Sequence, residues 1–104
     1  MNCIFCKIIE GSIPSAMVYQ DDKLVAFNDI NPAAPVHVLI VPREHIASAA
    51  AVTDAHAGLM GHIWATIPKI AAKLGIQDNF RVITNSGGEA GQTVFHLHFH
   101  LQSP

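Results

Sequence analysis

Apolar residues recur along this chain in short runs separated by turn-forming residues, with one long stretch of helical spacing in the middle. Residues 5–10 predict a short helix that ends at Gly11. Residues 17–20 and 23–28 read as two strands around an Asp21-Asp22 turn, a hairpin pattern. Asn31-Pro-Ala-Ala-Pro35 is a turn or loop, and 36–41 is a compact apolar strand stopped by Pro42. From Asp54, a plausible N-cap, a helix should run to about Leu74 and end at Gly75. Its apolar positions Leu59, Met60, Ile63, Trp64, Ile67, Ile70, Ala71 and Leu74 keep helical spacing, and Pro68 should kink it by removing a hydrogen bond to Trp64. A strand over 81–85, a glycine-rich loop over 86–92 and a last strand over 93–101 complete the chain. One long helix among short strands joined by tight turns implies a single α+β domain over residues 1–104, built on an antiparallel sheet.

The last strand carries the chemistry. In an extended chain His96, His98 and His100 share one face, while Val94 (or Phe95, if the alternation slips), Leu97, Phe99 and Leu101 fill the other. Leaving an imidazole donor or acceptor unpaired in an apolar setting costs about 1–3 kcal/mol, so such a face suits a cleft that receives something polar, anionic or metallic. A metal held by all three rings is hard to build, because the outer two lie about 13 Å apart along a straight strand and metal–nitrogen bonds are about 2.0–2.1 Å. Satisfied structural histidines are the ordinary reading for any one of them but not for the row. Phosphate chemistry fits the row best: one neutral ring attacks, and its neighbours orient it and hold anionic oxygens.

Composition narrows the partners. Half of the residues are hydrophobic and only 13% are charged, which is lean for a monomer and points to a homodimer that covers the excess apolar surface. The net charge is −2 with scattered basic residues, so no nucleic acid is expected as partner, while a small anionic ligand fits. No run approaches the roughly 18 apolar residues of a membrane span, and the N-terminus lacks the pattern of a signal peptide, so no membrane is expected and the expected compartment is the cytoplasm.

Two further features bear on the site. Asn85-Ser-Gly-Gly-Glu-Ala-Gly-Gln-Thr93 delivers the chain into the histidines, and its glycines would let backbone N–H groups form an anion nest without a lysine. Asn85 and Thr93 flank it as donors to a phosphate oxygen, or simply as turn caps. Cys3-Ile-Phe-Cys6 is a C-x-x-C pair, compatible with half of a zinc site, a redox pair or free thiols. Zinc would need two more ligands from His37, His45, His56, His62 and the histidine row, and spacing alone does not choose among them.

His96-Leu-His-Phe-His100-Leu resembles the H-φ-H-φ-H-φ-φ signature of the histidine triad (HIT) family, with φ apolar. The likeness extends through Cys3-Ile-Phe-Cys-Lys-Ile-Ile9, Ile13-Pro14, Ala26-Phe27-Asn-Asp29-Ile-Asn-Pro32, Ala34-Pro-Val-His37, Val41-Pro42 and Gly91-Gln-Thr-Val-Phe-His96, and it covers essentially the whole chain. Its nearest branch is the histidine triad nucleotide-binding proteins rather than the diadenosine polyphosphate hydrolases. The resemblance implies a HIT-like fold: a five-stranded antiparallel sheet with one long and one short helix, joined into ten strands across a homodimer.

The implied activity is cleavage of the P–N bond of purine nucleoside 5′-phosphoramidates, releasing the nucleoside monophosphate through a nucleotidyl-histidine intermediate and needing no catalytic metal. Cleavage of dinucleoside polyphosphates and non-catalytic nucleotide binding are the alternatives. By the same resemblance His98 is the nucleophile and His37 orients its ring. His100 binds phosphate oxygens, helped by Asn85, Thr93 and the backbone at Gly91 and Gln92. Asp29 takes the ribose hydroxyls, and Ile4, Phe5, Ile8, Phe27, Ile30 and Leu39 wall the base pocket. Cys3, Cys6, His45 and His96 match the positions that hold a structural zinc in bacterial relatives. Gln102 replaces the last apolar residue of the signature, and Pro104 falls where relatives usually continue into a tail that in some of them shapes the leaving-group end, so the resemblance does not fix leaving-group selectivity or dimer strength.

Overall fold

Asp21 builds the first hairpin as the sequence predicts: its Oδ1 accepts the backbone N–H groups of Lys23 and Leu24 at 2.8 and 2.9 Å. The computed structural model describes residues 2–104. Helix α1 (Ile4–Ile9) is followed by strands β1 (Met17–Gln20), β2 (Leu24–Asn28) and β3 (Val36–Pro42), helix α2 (Ala57–Lys73), and strands β4 (Arg81–Ile83) and β5 (Phe99–Ser103). The strands form one antiparallel sheet in the order β1-β2-β3-β5-β4. This is the five-stranded α+β architecture that the resemblance implied.

Alternation along the central strands gives the sheet two apolar faces. Leu24 and Ala26 of β2 and Val38 and Ile40 of β3 pack with Ile63, Ile67 and Ile70 of α2. The intervening Val25, Phe27, Leu39 and Val41 pack with Cys3 and Phe5 on the opposite side. Each fully buried aliphatic side chain of this kind contributes about 1.5–3 kcal/mol, so the helices are held mainly by these two layers. The layer under α1 is the thinner one, and it is where the site forms.

Three elements differ from expectation. Asp54 does not cap the long helix: Thr53 caps the 3-10 turn before it, its Oγ1 accepting the Ala55 N–H while the His56 ring accepts the Thr53 N–H, and His56 precedes α2 without a side-chain cap. A turn of 3-10 helix (Asp54–His56) then leads into α2, which runs through Pro68 without interruption. β4 ends at Ile83 rather than at 85.

The most informative difference is the last strand. Pairing begins only at Phe99 and continues through Gln102 and Ser103, so His96 and His98 precede the strand. The chain bends at His96, and the Leu97 N–H donates to the Ile46 carbonyl at 2.6 Å instead of to the sheet. Gln102 and Ser103 can be buried in the extension because Arg81 Nε donates to Gln102 Oε1 and Ser103 Oγ donates to the Asn79 carbonyl. Leu97, Phe99 and Leu101 enter the α2-side core as predicted, but Val94 packs on the α1 side and Phe95 is exposed.

Candidate active site and metal centre

All three histidines still face the α1 side of the sheet, because the bend at His96 preserves their alternation with Leu97 and Phe99. The Phe5 ring meets His98 edge-on at 5.0 Å between centroids and lies 6.0 Å from His96. His98 and His100 rings are 5.0 Å apart. One aromatic side chain of α1 therefore sits over the row.

Hydrogen bonds fix which nitrogen of each ring is free. His98 Nδ1 lies 2.7 Å from the carbonyl of His96, where it can only donate. A neutral His98 then carries its lone pair on Nε2, the form needed in a nucleophile. His37 Nδ1 accepts the Ala33 N–H at 2.9 Å, so its hydrogen sits on Nε2. That Nε2 is 2.8 Å from His100 Nδ1, which must accept, leaving His100 with Nε2–H as an outward donor. Burial first, then the neighbouring His98 and His37 rings, holds His100 below its ordinary imidazole value and keeps it neutral. The expectation that His37 orients the nucleophile is thus corrected: the His96 carbonyl orients His98, and His37 orients His100. The sequence could not separate these roles, because the register that sets His37 opposite Gln102 and Leu39 opposite His100 appears only in the sheet.

A cavity of about 320 Å³ opens beside the two rings, at the lower end of the usual range for small-molecule sites. Ile4, Phe5, Ile8, Phe27, Ile30 and Leu39 line it as expected, together with Asp29, Thr93, His98 and His100. Ile30 does so from an exposed loop, with 89% of its surface open. Ile13, Pro14, Ser15, Asn28, Asn31 and Val94 also line the cavity and were not singled out as site residues, although all but Ser15 fall in segments that carry the resemblance. Asp29 Oδ1 accepts the Asn31 N–H at 2.8 Å and Oδ2 lies 3.4 Å from His37 Nε2, so its carboxylate is oriented at the cavity wall.

Several N–H groups of the glycine-rich loop, where an anion nest was expected, are engaged within the loop itself. The N–H groups of Ala90, Gly91 and Gln92 are taken by the carbonyls of Gly87, Gly88 and Gly87. The Gln92 side chain turns inward, donating to the Ala47 and Val94 carbonyls and accepting the Gly87 N–H. Gly91 is left-handed (φ 102°), which a side chain rarely adopts, and Asn85 packs beside it. Gly91, Gln92 and Asn85 therefore shape the loop, and Thr93 is the loop residue that reaches the cavity.

On the other side of Phe5, Cys3, Cys6, His45 and His96 converge with all ligand atoms within 4.8 Å of one another. Cys3 Sγ–His96 Nδ1 and Cys6 Sγ–His45 Nδ1 are both 3.4 Å, Cys6 Sγ–His96 Nδ1 is 3.6 Å and His45 Nδ1–His96 Nδ1 is 3.1 Å. A tetrahedral zinc with ordinary bond lengths spaces such ligands roughly 3.3–3.6 Å apart. His96 Nε2 donates to the Pro42 carbonyl at 2.8 Å, which leaves Nδ1 as the ligating atom. Burial pushes the His96 ring below its ordinary value, against the pull of that bond, so the ring is neutral and fit to ligate. Burial, then the adjacent Cys3, pushes the Cys6 thiol up, and a cation between the sulfurs would act against that. The donor set fits a four-coordinate metal ion and leaves His98 and His100 out of it.

Comparison with known proteins agrees in extent and kind. The family model described as "Scavenger mRNA decapping enzyme C-term binding" matches residues 2–104. An uncharacterised HIT-like protein of Synechocystis is 50% identical over 100 residues, covering 96% of this chain and 88% of that protein. A 14 kDa zinc-binding protein of Zea mays is 40% identical over 100 residues, covering 94% of this chain and 78% of its own length. Among solved structures, a HIT family hydrolase from Clostridium thermocellum superposes with a TM-score of 0.95 at 49% identity, covering 99% of this chain and 90% of that one.

Proposed function

We propose, on the premise that this chain belongs to the histidine triad family, that it hydrolyses purine nucleoside 5′-phosphoramidates to the nucleoside monophosphate and an amine. The observation that carries this reading is the His98 ring, held through Nδ1 by the His96 carbonyl so that Nε2 is a free nucleophile at the end of an apolar cavity.

In this reading the purine occupies the cavity walled by Ile4, Phe5, Ile8, Phe27, Ile30 and Leu39, and Asp29 accepts the ribose hydroxyls. His98 Nε2 attacks the α-phosphorus, the P–N bond breaks, and the departing nitrogen takes a proton from solvent and leaves as the amine; the water of the next step returns one proton to solvent. Water then attacks the nucleotidyl-His98, releases the monophosphate and restores the neutral ring. His100 Nε2–H and the Thr93 hydroxyl donate to phosphate oxygens, where charge builds in both steps. Asn85 acts at one remove, by shaping the loop behind Thr93. Cys3, Cys6, His45 and His96 hold a zinc ion whose contribution is structural.

The same premise supports a homodimer. Strand β4 forms one edge of the sheet, and Trp64 of α2 keeps 53% of its surface exposed, both suited to cover by a second copy.

The test is intact-mass spectrometry, quenched without acid, of protein mixed with adenosine 5′-phosphoramidate, with released AMP followed in parallel for wild type and His98→Ala. AMP release and a nucleotidyl adduct in wild type alone are expected. Undiminished AMP release by His98→Ala would overturn the assignment.

A further inference from the structure

We propose that His37 couples the ribose subsite to the phosphate donor, so that the 2′-hydroxyl and the phosphate of a nucleotide are bound cooperatively through one shared hydrogen. The inference deepens the nucleotide-binding reading above and rests on it.

Polar atoms of Asp29, His37 and His100 lie within 4.8 Å of one another. The Ala33 N–H occupies His37 Nδ1, so the buried ring has a single hydrogen to give, on Nε2. Two acceptors face that hydrogen: His100 Nδ1 at 2.8 Å and Asp29 Oδ2 at 3.4 Å. The third neighbour, Gln102 Nε2 at 3.4 Å, does not compete, because Arg81 holds Gln102 by Oε1 and turns its amide nitrogen to His37. Asp29 and His100 both line the nucleotide cavity, and His37 does not. His37 is therefore a positioning residue that touches two ligand-binding groups and no ligand.

The consequence runs both ways. When ribose hydroxyls donate to Asp29, its oxygen becomes a weaker rival, and the His37 hydrogen passes fully to His100 Nδ1. His100 is then fixed with Nε2–H toward the phosphate. When a phosphate accepts that Nε2–H, the ring becomes a better acceptor at Nδ1 and draws the His37 hydrogen from Asp29, freeing Oδ2 for the diol. Reciprocity of this kind is required of any coupling between two binding events.

A binding cycle tests it without turnover. Dissociation constants are measured by calorimetry for adenosine, 2′-deoxyadenosine, AMP and 2′-deoxy-AMP, with the wild type and two variants. In wild type the preference for the ribose form should be about 5–10-fold larger for the monophosphates than for the nucleosides. His37→Asn keeps an acceptor for the Ala33 N–H but has nothing at the Nε2 position, and should bring the two preferences together. His37→Gln places a donor amide where Nε2 lies and should restore most of the difference. Equal preferences in wild type, or a difference that survives in His37→Asn, would overturn the coupling while leaving nucleotide binding intact. Failure of AMP to bind wild type at all would overturn the nucleotide reading and the coupling with it.

Discussion

The carbonyl of His96 accepts the Nδ1–H of His98 at 2.7 Å, while the His96 ring points its own Nδ1 into the Cys3, Cys6 and His45 cluster. One residue thus serves the Cys/His cluster with its side chain and the proposed nucleophile with its backbone. The Pro42 carbonyl also grips His96, at 2.8 Å from Nε2, so the residue has an anchor besides that cluster.

Cys3→Ser should accordingly lose metal and stability but little chemistry. Metal analysis should fall from about one zinc per chain to near zero, and the melting temperature should drop by several degrees, as expected for loss of a structural metal. The rate per folded molecule should change by no more than a few-fold. A loss of about 100-fold in a fully folded variant, roughly 2.7 kcal/mol of transition-state stabilisation, would mean that the metal itself positions His98.

Phe5→Leu should weaken nucleotide binding without disabling the nucleophile. The ring makes edge contacts with His98 and, at 5.6 Å, with Phe27, and such pairs are worth about 0.5–1.5 kcal/mol. KM for an adenosine phosphoramidate should rise about 3–10-fold with kcat nearly unchanged, because the His96 carbonyl and not Phe5 sets the His98 tautomer. Steady-state kinetics on the two proteins decides it; a collapse in kcat alone would contradict the argument.

Gln92→Ala removes an acceptor from the Gly87 N–H and a donor from the Ala47 and Val94 carbonyls. Groups left unpaired in this way cost about 1–3 kcal/mol, so a loss of about 2 kcal/mol is expected by urea unfolding. Hydrogen exchange at Gly87 should quicken in the variant, and unchanged exchange there would show that the side chain does not hold the loop.

Acid sensitivity should centre on Asp21. Desolvation alone would raise its carboxyl, but the Lys23 N–H, His62, the Leu24 N–H and Tyr19 outweigh it and lower it from 3.8 to about 2. A carboxyl with a depressed folded value stabilises above its unfolded value and loses that contribution as pH falls from about 4 to about 2. Discounted for the partly exposed His62 partner, the contribution is about 1–2 kcal/mol at pH 7. Asp21→Asn should lose that much at neutral pH, and the gap to wild type should narrow below pH of about 3 in denaturant titrations.

The strands and helices that bury a regular pattern were legible in the sequence. Val25, Phe27, Leu39 and Val41 alternate with Leu24, Ala26, Val38 and Ile40, and α2 shows its core stripe at Ile63, Ile67 and Ile70. What resisted reading depends on partners distant in the chain. The bend at His96 answers to Ile46, Pro42 and the cysteines, none of them near in sequence. The glycines of the 86–92 loop promised free N–H groups, yet the N–H of Gly91 closes a turn onto Gly88 and that of Gly87 goes to the Gln92 side chain. The pattern along the chain ends the last strand at 101, short of Gln102 and Ser103, because Arg81 and Asn79, which satisfy them, arrive with β4 and the turn before it.

Helix α1 sets a rule for how this site could be re-engineered. Within six residues it interleaves cavity walls, Ile4, Phe5 and Ile8, with the metal-cluster residue Cys6, and Cys3 immediately precedes it. A one-residue insertion would rotate everything after it by about 100°, swinging Cys6 from His45 and Ile8 from the cavity together. Base preference can therefore be retuned by exchanging side chains at positions 4 and 8. It cannot be retuned by lengthening or shortening the helix, because the Cys/His cluster fixes its phase.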